Sequence, residues 1–433
     1  MFSDSGTFTM HPTAESIWHQ YAAIRGGGTG DERLRSRILP IRDFNNWAKR
    51  ALIGHFLHAT ASAQGRNGEV LVMDICCGKG GDLQKFRHDH VRYVACIDVS
   101  LESLVEAIHR YNGMRNTLRY QADFIWADIF AVPIAQHFRP YQRGVRFGLI
   151  SCQFALHYAF ETEERARMLF KNVSDCLDNK GRFIAIFVSK ESILSRLESK
   201  GYVWSPTNKD RPPVLNNGLY TIRFEGPFTE NPYSPHYGVK YYFDLEEAVN
   251  DIPEYFVDYS SVMALCEEFK LRIAHHFGTL EDFYRQYFEW HTDQHSRTEF
   301  ARRMDRSSQM LARKVEDAQG DGDDFFGEAF VDGDYQDAEE PMDGGGDGNA
   351  TEFGIRHFAD LPERYREVIN LYQAVVIERV EAHGLSMNLN CRTTVARRVA
   401  DITNLTPHAI DRAALREYFA PYMWQPGKGH IKC

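Results

Sequence analysis

Residues 70–82 read VLVMDICCGKGGD, an apolar run the length of a strand, followed by a glycine-rich turn and then residues compatible with a helix. An uninterrupted apolar segment such as Val70 to Ile75 suits a strand buried on both faces, as in a parallel sheet wrapped by helices. Glycines in the turn let the backbone approach a ligand closely, and a helix N-terminus offers N–H groups that have no partner within the helix. The chain that follows keeps the alternation. Residues 93–99 read as a second strand and 101–111 as an apolar-patterned helix. Residues 123–130 and 147–154 give two more strands, with a helix from about 163 to 177, a turn at Asn179-Lys180-Gly181 and a strand over 182–188. Strand and helix in turn predict a Rossmann-like α/β domain.

Residues 218–224 and 238–243 read as further strands and 260–269 as a helix. A last strand over 368–380 returns to the sheet, and a helical pattern recurs around 409–419. From Glu316 to Glu352 the sequence is rich in Asp, Glu and Gly and shows neither helix nor strand periodicity, so a disordered insertion is expected. About fourteen acidic residues and no Lys or Arg lie between Lys314 and Arg356. Without them the formal charge of −10 becomes about +4, which suits a short anionic ligand better than a long duplex. No segment has the length of apolar sequence that a membrane span requires, and the N-terminus lacks a signal-like pattern, so a soluble intracellular protein is expected. The eight cysteines form no CxxC units; neither a disulfide framework nor a metal site is expected.

Carboxylates stand where a ligand at the glycine turn would need them. Asp98 ends the second strand about 20 residues beyond the turn, where a carboxylate can accept both hydroxyls of a ribose. Asp128, at the end of the third, is placed to meet the adenine end of the same ligand. NAD would want the full GxGxxG spacing, which residues 76–81 do not offer. The carboxylates of Asp74 and Asp82 suit a sulfonium and an ammonium better than a diphosphate, which points to S-adenosyl-L-methionine.

The motifs Asn45-Asn-Trp-Ala-Lys49, Cys77-Gly-Lys-Gly-Gly-Asp82, Ser151-Cys-Gln-Phe-Ala-Leu-His-Tyr158 and Pro253-Glu-Tyr255 occur in that order. Together they closely resemble those of eukaryotic mRNA cap guanine-N7 methyltransferases. The resemblance implies a class I S-adenosylmethionine-dependent methyltransferase fold with inserted cap-binding strands, and the chain adds a helical C-terminal extension. It implies that Lys49, Cys76, Asp98, Asp128, Gln153 and Tyr158 contact the cofactor, joined by Asp74 and Gly78 of the turn. It further implies that Asn45, Asn46, Lys79, Lys85, Arg110, His157, Glu254 and Tyr372 contact the cap, with Phe154 and Phe243 walling the guanine. Asp82 is placed with the substrate groups.

Lys79, Lys85 and Arg110 are cations beside the turn and on the following helix, appropriate for a triphosphate bridge. A carboxylate such as Glu254 can accept N1–H and the exocyclic amine of guanine side by side. Two positions depart from the family pattern: Cys76 stands where glycine is usual, and Val188-Ser189-Lys190 replaces a proline followed by an Asp-Ser pair. The second change predicts a different wall to the guanine pocket.

The implied organisation is a flexible N-terminus (1–15), a methyltransferase domain (16–315), the acidic insertion (316–354), the final strand (355–380) and an extension (381–433). The implied partners are the capped 5′ end of mRNA and proteins of the capping apparatus, with no membrane and no DNA, in the nucleus. Guanine N7 carries a free lone pair, so no residue is needed as an acid or base; Glu254, His157 and Tyr158 act by positioning. The competing readings are a cap-binding or nucleotide-binding module with a decayed cofactor site, and a methyltransferase with another RNA or small-molecule acceptor.

Overall fold

A computed structural model describes residues 36–64, 68–114, 116–134, 146–202, 212–225, 231, 237–319 and 355–380. The expectations for residues 1–15, for 381–433 with its helical pattern at 409–419, and for 320–354 lie outside these residues.

Seven strands form the main sheet: β1 (Val70–Ile75), β2 (Val91–Asp98), β3 (Gln121–Trp126), β4 (Phe147–Gln153), β5 (Leu177–Val188), β10 (Leu271–Phe277) and β11 (Tyr372–Arg379). Their spatial order is β10-β11-β5-β4-β1-β2-β3, with β1 to β5 parallel and β11 antiparallel to both its neighbours. The order reverses at β1, so the C-terminal tips of β1, β2 and β4 open onto one crevice, the usual ligand position in such sheets.

Strand alternation builds two cores. Val72, Val94, Cys96, Leu149, Ile184 and Ile186 face α1 (Leu39–Gln64) and α2 (Leu101–Met114). Met73, Ile75, Ala95, Ile97, Ile150 and Phe183 face α3 (Glu163–Cys176) on the other side. Both faces being buried explains the near-continuous apolar strands.

A second sheet is inserted between α4 (Lys190–Ser199) and α5 (Tyr259–Glu268). It is antiparallel, in the order β6 (Val214–Asn216), β7 (Tyr220–Arg223), β8 (Lys240–Leu245), β9 (Val249–Tyr255). Pro253 is tolerated in β9 because that strand is an edge.

Several boundaries correct the sequence reading. The third strand stops at Trp126, which leaves Asp128 in the turn beyond it. The turn at 179–181 is a bulge within β5: Phe147 pairs with Leu177 but Leu149 pairs with Arg182. In the expected strand 368–380, Val368 and Ile369 instead close α8 (Glu363–Ile369), and the strand begins at Tyr372. Glu254 lies near the end of β9. The unanticipated α6 (Leu280–Trp290) and α7 (Gln294–Gln319) pack on α1 from outside, and α7 carries helical backbone into the first residues of the acidic stretch.

Candidate active site

At the crevice lies a cavity of about 380 Å³. Lys49 of α1, Cys76, Gly78 and Lys79 of the glycine turn, Asp98, Asp128, Gln153 at the end of β4, and Phe154 and Tyr158 beyond it all line it. The turn after β1 is left-handed at Cys76 (φ 57°), Gly78 (φ 52°) and Gly80 (φ 72°). Glycine is required at Gly80, where a Cβ would stand 2.7 Å from the Leu83 side chain and 3.1 Å from Ala107 of α2. Cys76 adopts the same region with a Cβ, so the departure from glycine is accommodated at a backbone cost of about 1–2 kcal/mol.

Asp98 fixes this turn from the neighbouring strand. Its Oδ2 accepts the Gly78 N–H at 2.7 Å and its Oδ1 the Ser100 N–H at 2.8 Å. Burial pushes its carboxyl up to about 6, against the pull of those N–H groups. Asp128 accepts the Phe130 N–H at 3.0 Å and is held by Arg165 Nη1 at 2.9 Å. Arg165, from the first turn of α3, lines the cavity and was not singled out from the sequence. Among the charged residues of TEERAR it carries no sign that its side chain turns inward. Gln153 donates from Nε2 to Ser151 Oγ at 3.0 Å, while its buried Oε1 has no hydrogen-bond partner among the described residues. That leaves an acceptor in the cavity wall, ready for a ligand N–H.

Asp74 and Lys85 are absent from the lining of this cavity. Asp74 is buried under the turn and is absent from the cavity lining; burial, with Asp82 nearby, raises its carboxyl well above the usual range. Lys85 is not presented to solvent: its ammonium lies 3.0 Å from Asp82 and donates to the Gly81 carbonyl, and burial lowers its pKa to about 8. Asp82 also takes Lys49 at 2.6 Å. Burial alone would raise the Asp82 carboxyl, but the two ammonium groups outweigh it and hold it below the ordinary value. Asp82 is therefore the anchor for Lys49 and Lys85. Such a buried charge cluster fixes geometry because every member needs its partners.

Beside the cavity, His157 and Glu254 are buried face to face, Nε2 to Oε1 at 3.4 Å. Tyr241 of β8 donates to Glu254 Oε2 at 2.8 Å across the strand pair. Burial pushes the Glu254 carboxyl up to about 8 and the His157 imidazole down to about 3, so at neutral pH this is largely a neutral pair and not a salt bridge. The ring of the adjacent residue, Tyr158, lies 4.3 Å from that of His157 and joins the pair to the cavity wall. Phe154 (φ 60°) packs edge-on against Tyr372 at 4.9 Å.

Phe243, expected to wall a guanine, is fully buried in the core of the inserted sheet and does not line the cavity. Asn45 and Asn46 sit on α1 one turn before Lys49. Lys79 pairs with Glu106 of α2 at 2.8 Å, and Arg110 follows Glu106 by one turn. Val188 is buried in register with Tyr372; Ser189 caps α4, and Lys190 forms a buried pair with Asp258 at 2.7 Å. The Val188-Ser189-Lys190 departure thus builds structure behind the Phe154–Tyr372 wall.

A parallel sheet with this order, a reversed strand beside β5 and a glycine turn backed by a ribose-compatible carboxylate defines the Rossmann-like methyltransferase class. Within it, the mRNA (guanine-N(7))-methyltransferase domain matches residues 10–325, and the chain belongs to that family, which uses S-adenosylmethionine. The mRNA cap guanine-N(7) methyltransferase of Schizosaccharomyces pombe is 35% identical over 244 residues, covering 56% of this chain and 62% of that protein. Its namesake in Meyerozyma guilliermondii is 31% identical over 273 residues, covering 58% and 46%. The chain therefore spans about half to three fifths of the length of these curated relatives. A solved S-adenosylmethionine-dependent methyltransferase from Clostridium acetobutylicum is 15% identical, with a TM-score of 0.34 over 54% of this chain and 83% of its own.

Proposed function

We propose that this protein transfers a methyl group from S-adenosylmethionine to N7 of the guanine that caps a messenger RNA. The observation that carries this reading is the buried His157–Glu254 pair joined through Tyr158 to the wall of the cofactor cavity. Glu254, once ionised, would be able to read the guanine edge beside a cavity that suits an adenosine. The same proposal includes other capping-apparatus proteins as partners and residence in the nucleus.

Asp98 would hold the ribose hydroxyls, Asp128 with Arg165 the adenine end, and Gln153 Oε1 an N–H of the ligand. S-adenosylmethionine brings a methyl already activated by its sulfonium. Guanine N7 is unprotonated at neutral pH, so the protein has no proton to remove and its work is alignment. Glu254, once ionised, accepts N1–H and the exocyclic amine and stabilises the positive charge that develops on the purine. His157, kept neutral by burial, orients the base without exchanging a proton. Phe154 and Tyr372 exclude water from the face beside them.

Labelled S-adenosylmethionine incubated with GpppRNA should give label on RNA, while uncapped pppRNA of the same sequence should take none. Equal labelling of both, or of neither, contradicts the proposal.

A further inference from the structure

Most of the cavity wall comes from strand tips and the glycine turn, but Ala248 reaches it from the turn between β8 and β9 in the inserted sheet. The turn is closed by the Ala248 N–H donating to the Leu245 carbonyl at 2.9 Å and tied to the sheet by the Glu246 N–H donating to the Leu219 carbonyl at 3.0 Å, but its strained residues lean on side chains from elsewhere. Glu247 sits at φ 58° and Asp251, just inside β9, at φ 50°, conformations that persist in non-glycine residues when surrounding contacts impose them. For Asp251 the contact is the guanidinium of Arg223. For Glu247 the contacts come from the segment that leads into α1. Ser36 Oγ donates to Glu247 Oε2, and the Arg37 N–H donates to Oε1 at 3.0 Å. Arg42 spans the pair, donating from Nη2 to the Glu247 carbonyl at 2.8 Å and from Nη1 to Ser36 Oγ at 3.3 Å. Arg37 adds an ion pair with Glu246 at 2.5 Å, but Arg37 is exposed and Glu246 only half-buried, so the pair contributes little.

The latch joins two parts of the same site. Arg42, Asn45 and Lys49 recur at three-to-four-residue spacing on α1, so they share one face of that helix. Lys49 lines the cavity on that face, and Arg42 grips the turn that closes the cavity with Ala248. From the same turn, β9 runs on to Glu254.

We propose that Ser36, Arg42 and Glu247 are positioning residues that hold the β8–β9 turn against the cofactor cavity and so slow the escape of S-adenosylmethionine. The proposal rests on the reading of this cavity as the S-adenosylmethionine site. None of the three residues lines the cavity, so their effect travels through the turn.

The test uses the full chain, with calorimetric titration and stopped-flow displacement of S-adenosylhomocysteine. Arg42→Ala should bind about tenfold more weakly, with the change in the off-rate and not the on-rate, and with melting temperature near wild type in the absence of ligand. Glu247→Gln, which keeps a neutral acceptor, should lose less, and Arg42→Lys should recover part of the Arg42→Ala loss. Ser36→Ala combined with Glu247→Gln should cost less than the sum of the single changes, because both break one contact. Wild-type off-rates in Arg42→Ala and Glu247→Gln overturn the latch, and if Arg42→Ala fails to fold, Glu247→Gln and Ser36→Ala decide by the same criterion. A purely structural role would lower the melting temperature and leave the off-rate of the folded fraction unchanged, which also overturns it. Absence of binding heat in the wild type instead overturns the cofactor reading, and the latch with it.

Discussion

Glu254→Ala is expected to lower methyl transfer to capped RNA by about 10²-fold or more, the usual effect of removing one preorganised polar contact from a developing charge, while S-adenosylhomocysteine binds as to wild type. Glu254→Gln is the sharper variant because it keeps the hydrogen bond from Tyr241 but cannot accept two donors at the guanine edge. Burial raises the Glu254 carboxyl from its ordinary 4.5 to about 8, so below pH 8 the resting group is mostly protonated. Guanine binding needs the anion, and cap affinity should therefore rise with pH up to about 8 and then level off. The glutamine variant should show no such dependence. A folded group with a raised pKa also costs stability as pH climbs from its unfolded to its folded value, so Glu254→Gln should gain melting temperature near pH 8 relative to pH 5. Equal loss of cap methylation and cofactor binding would make Glu254 a structural residue.

Asp98→Asn is expected to weaken S-adenosylhomocysteine binding by about 10²-fold, since two charge-assisted hydrogen bonds of roughly 1.5–3 kcal/mol each are at stake. Each Asp98 oxygen already accepts one backbone N–H and keeps capacity for a ribose hydroxyl. An amide would turn its NH₂ toward one of those N–H groups and disturb the Gly78 turn. Because burial raises the Asp98 carboxyl to about 6, wild-type affinity should be flat above pH 6 and fall as the group protonates below it. The asparagine variant should be weak and nearly flat. Calorimetry across pH 5 to 8 reads both effects, and unchanged affinity in Asp98→Asn would remove the residue from the site.

Local chemistry explains which parts of this site were legible in the sequence. Asp98 and the glycine turn follow a buried strand pair at fixed offsets, so strand periodicity was enough to bring them together. Asp128 was found through the same logic although its strand is shorter than expected. Glu254 was not readable from its own surroundings, where Pro253-Glu254-Tyr255 looks like an exposed strand edge; only the motif order gave it a role.

The pairing of Lys85 with Asp82 and the Gly81 carbonyl was not legible, because those partners are brought together by the folding of the turn and a sequence does not show that an ammonium faces inward. The burial of Phe243 in the inserted sheet was legible from its neighbours. The alternation of Tyr241, Phe243 and Leu245 marks the core face of a small sheet. β10 escaped notice because Arg272, His275 and His276 interrupt its apolar pattern, and a central sheet tolerates them where β10 forms its edge. The run 368–380 is rich in apolar residues, which suits the end of a buried helix as well as a strand, and α8 takes its first two residues.

The arrangement stands or falls on two neighbouring pockets sharing the Tyr158 wall, one for an adenosine and one for a guanine. A crystal structure with S-adenosylhomocysteine and GpppG bound together tests this most directly. The account predicts the ribose on Asp98 and the guanine edge on Glu254 and His157, with N7 turned toward the sulfur. A guanine bound away from Glu254, or an adenosine outside the Asp98 cavity, would contradict it.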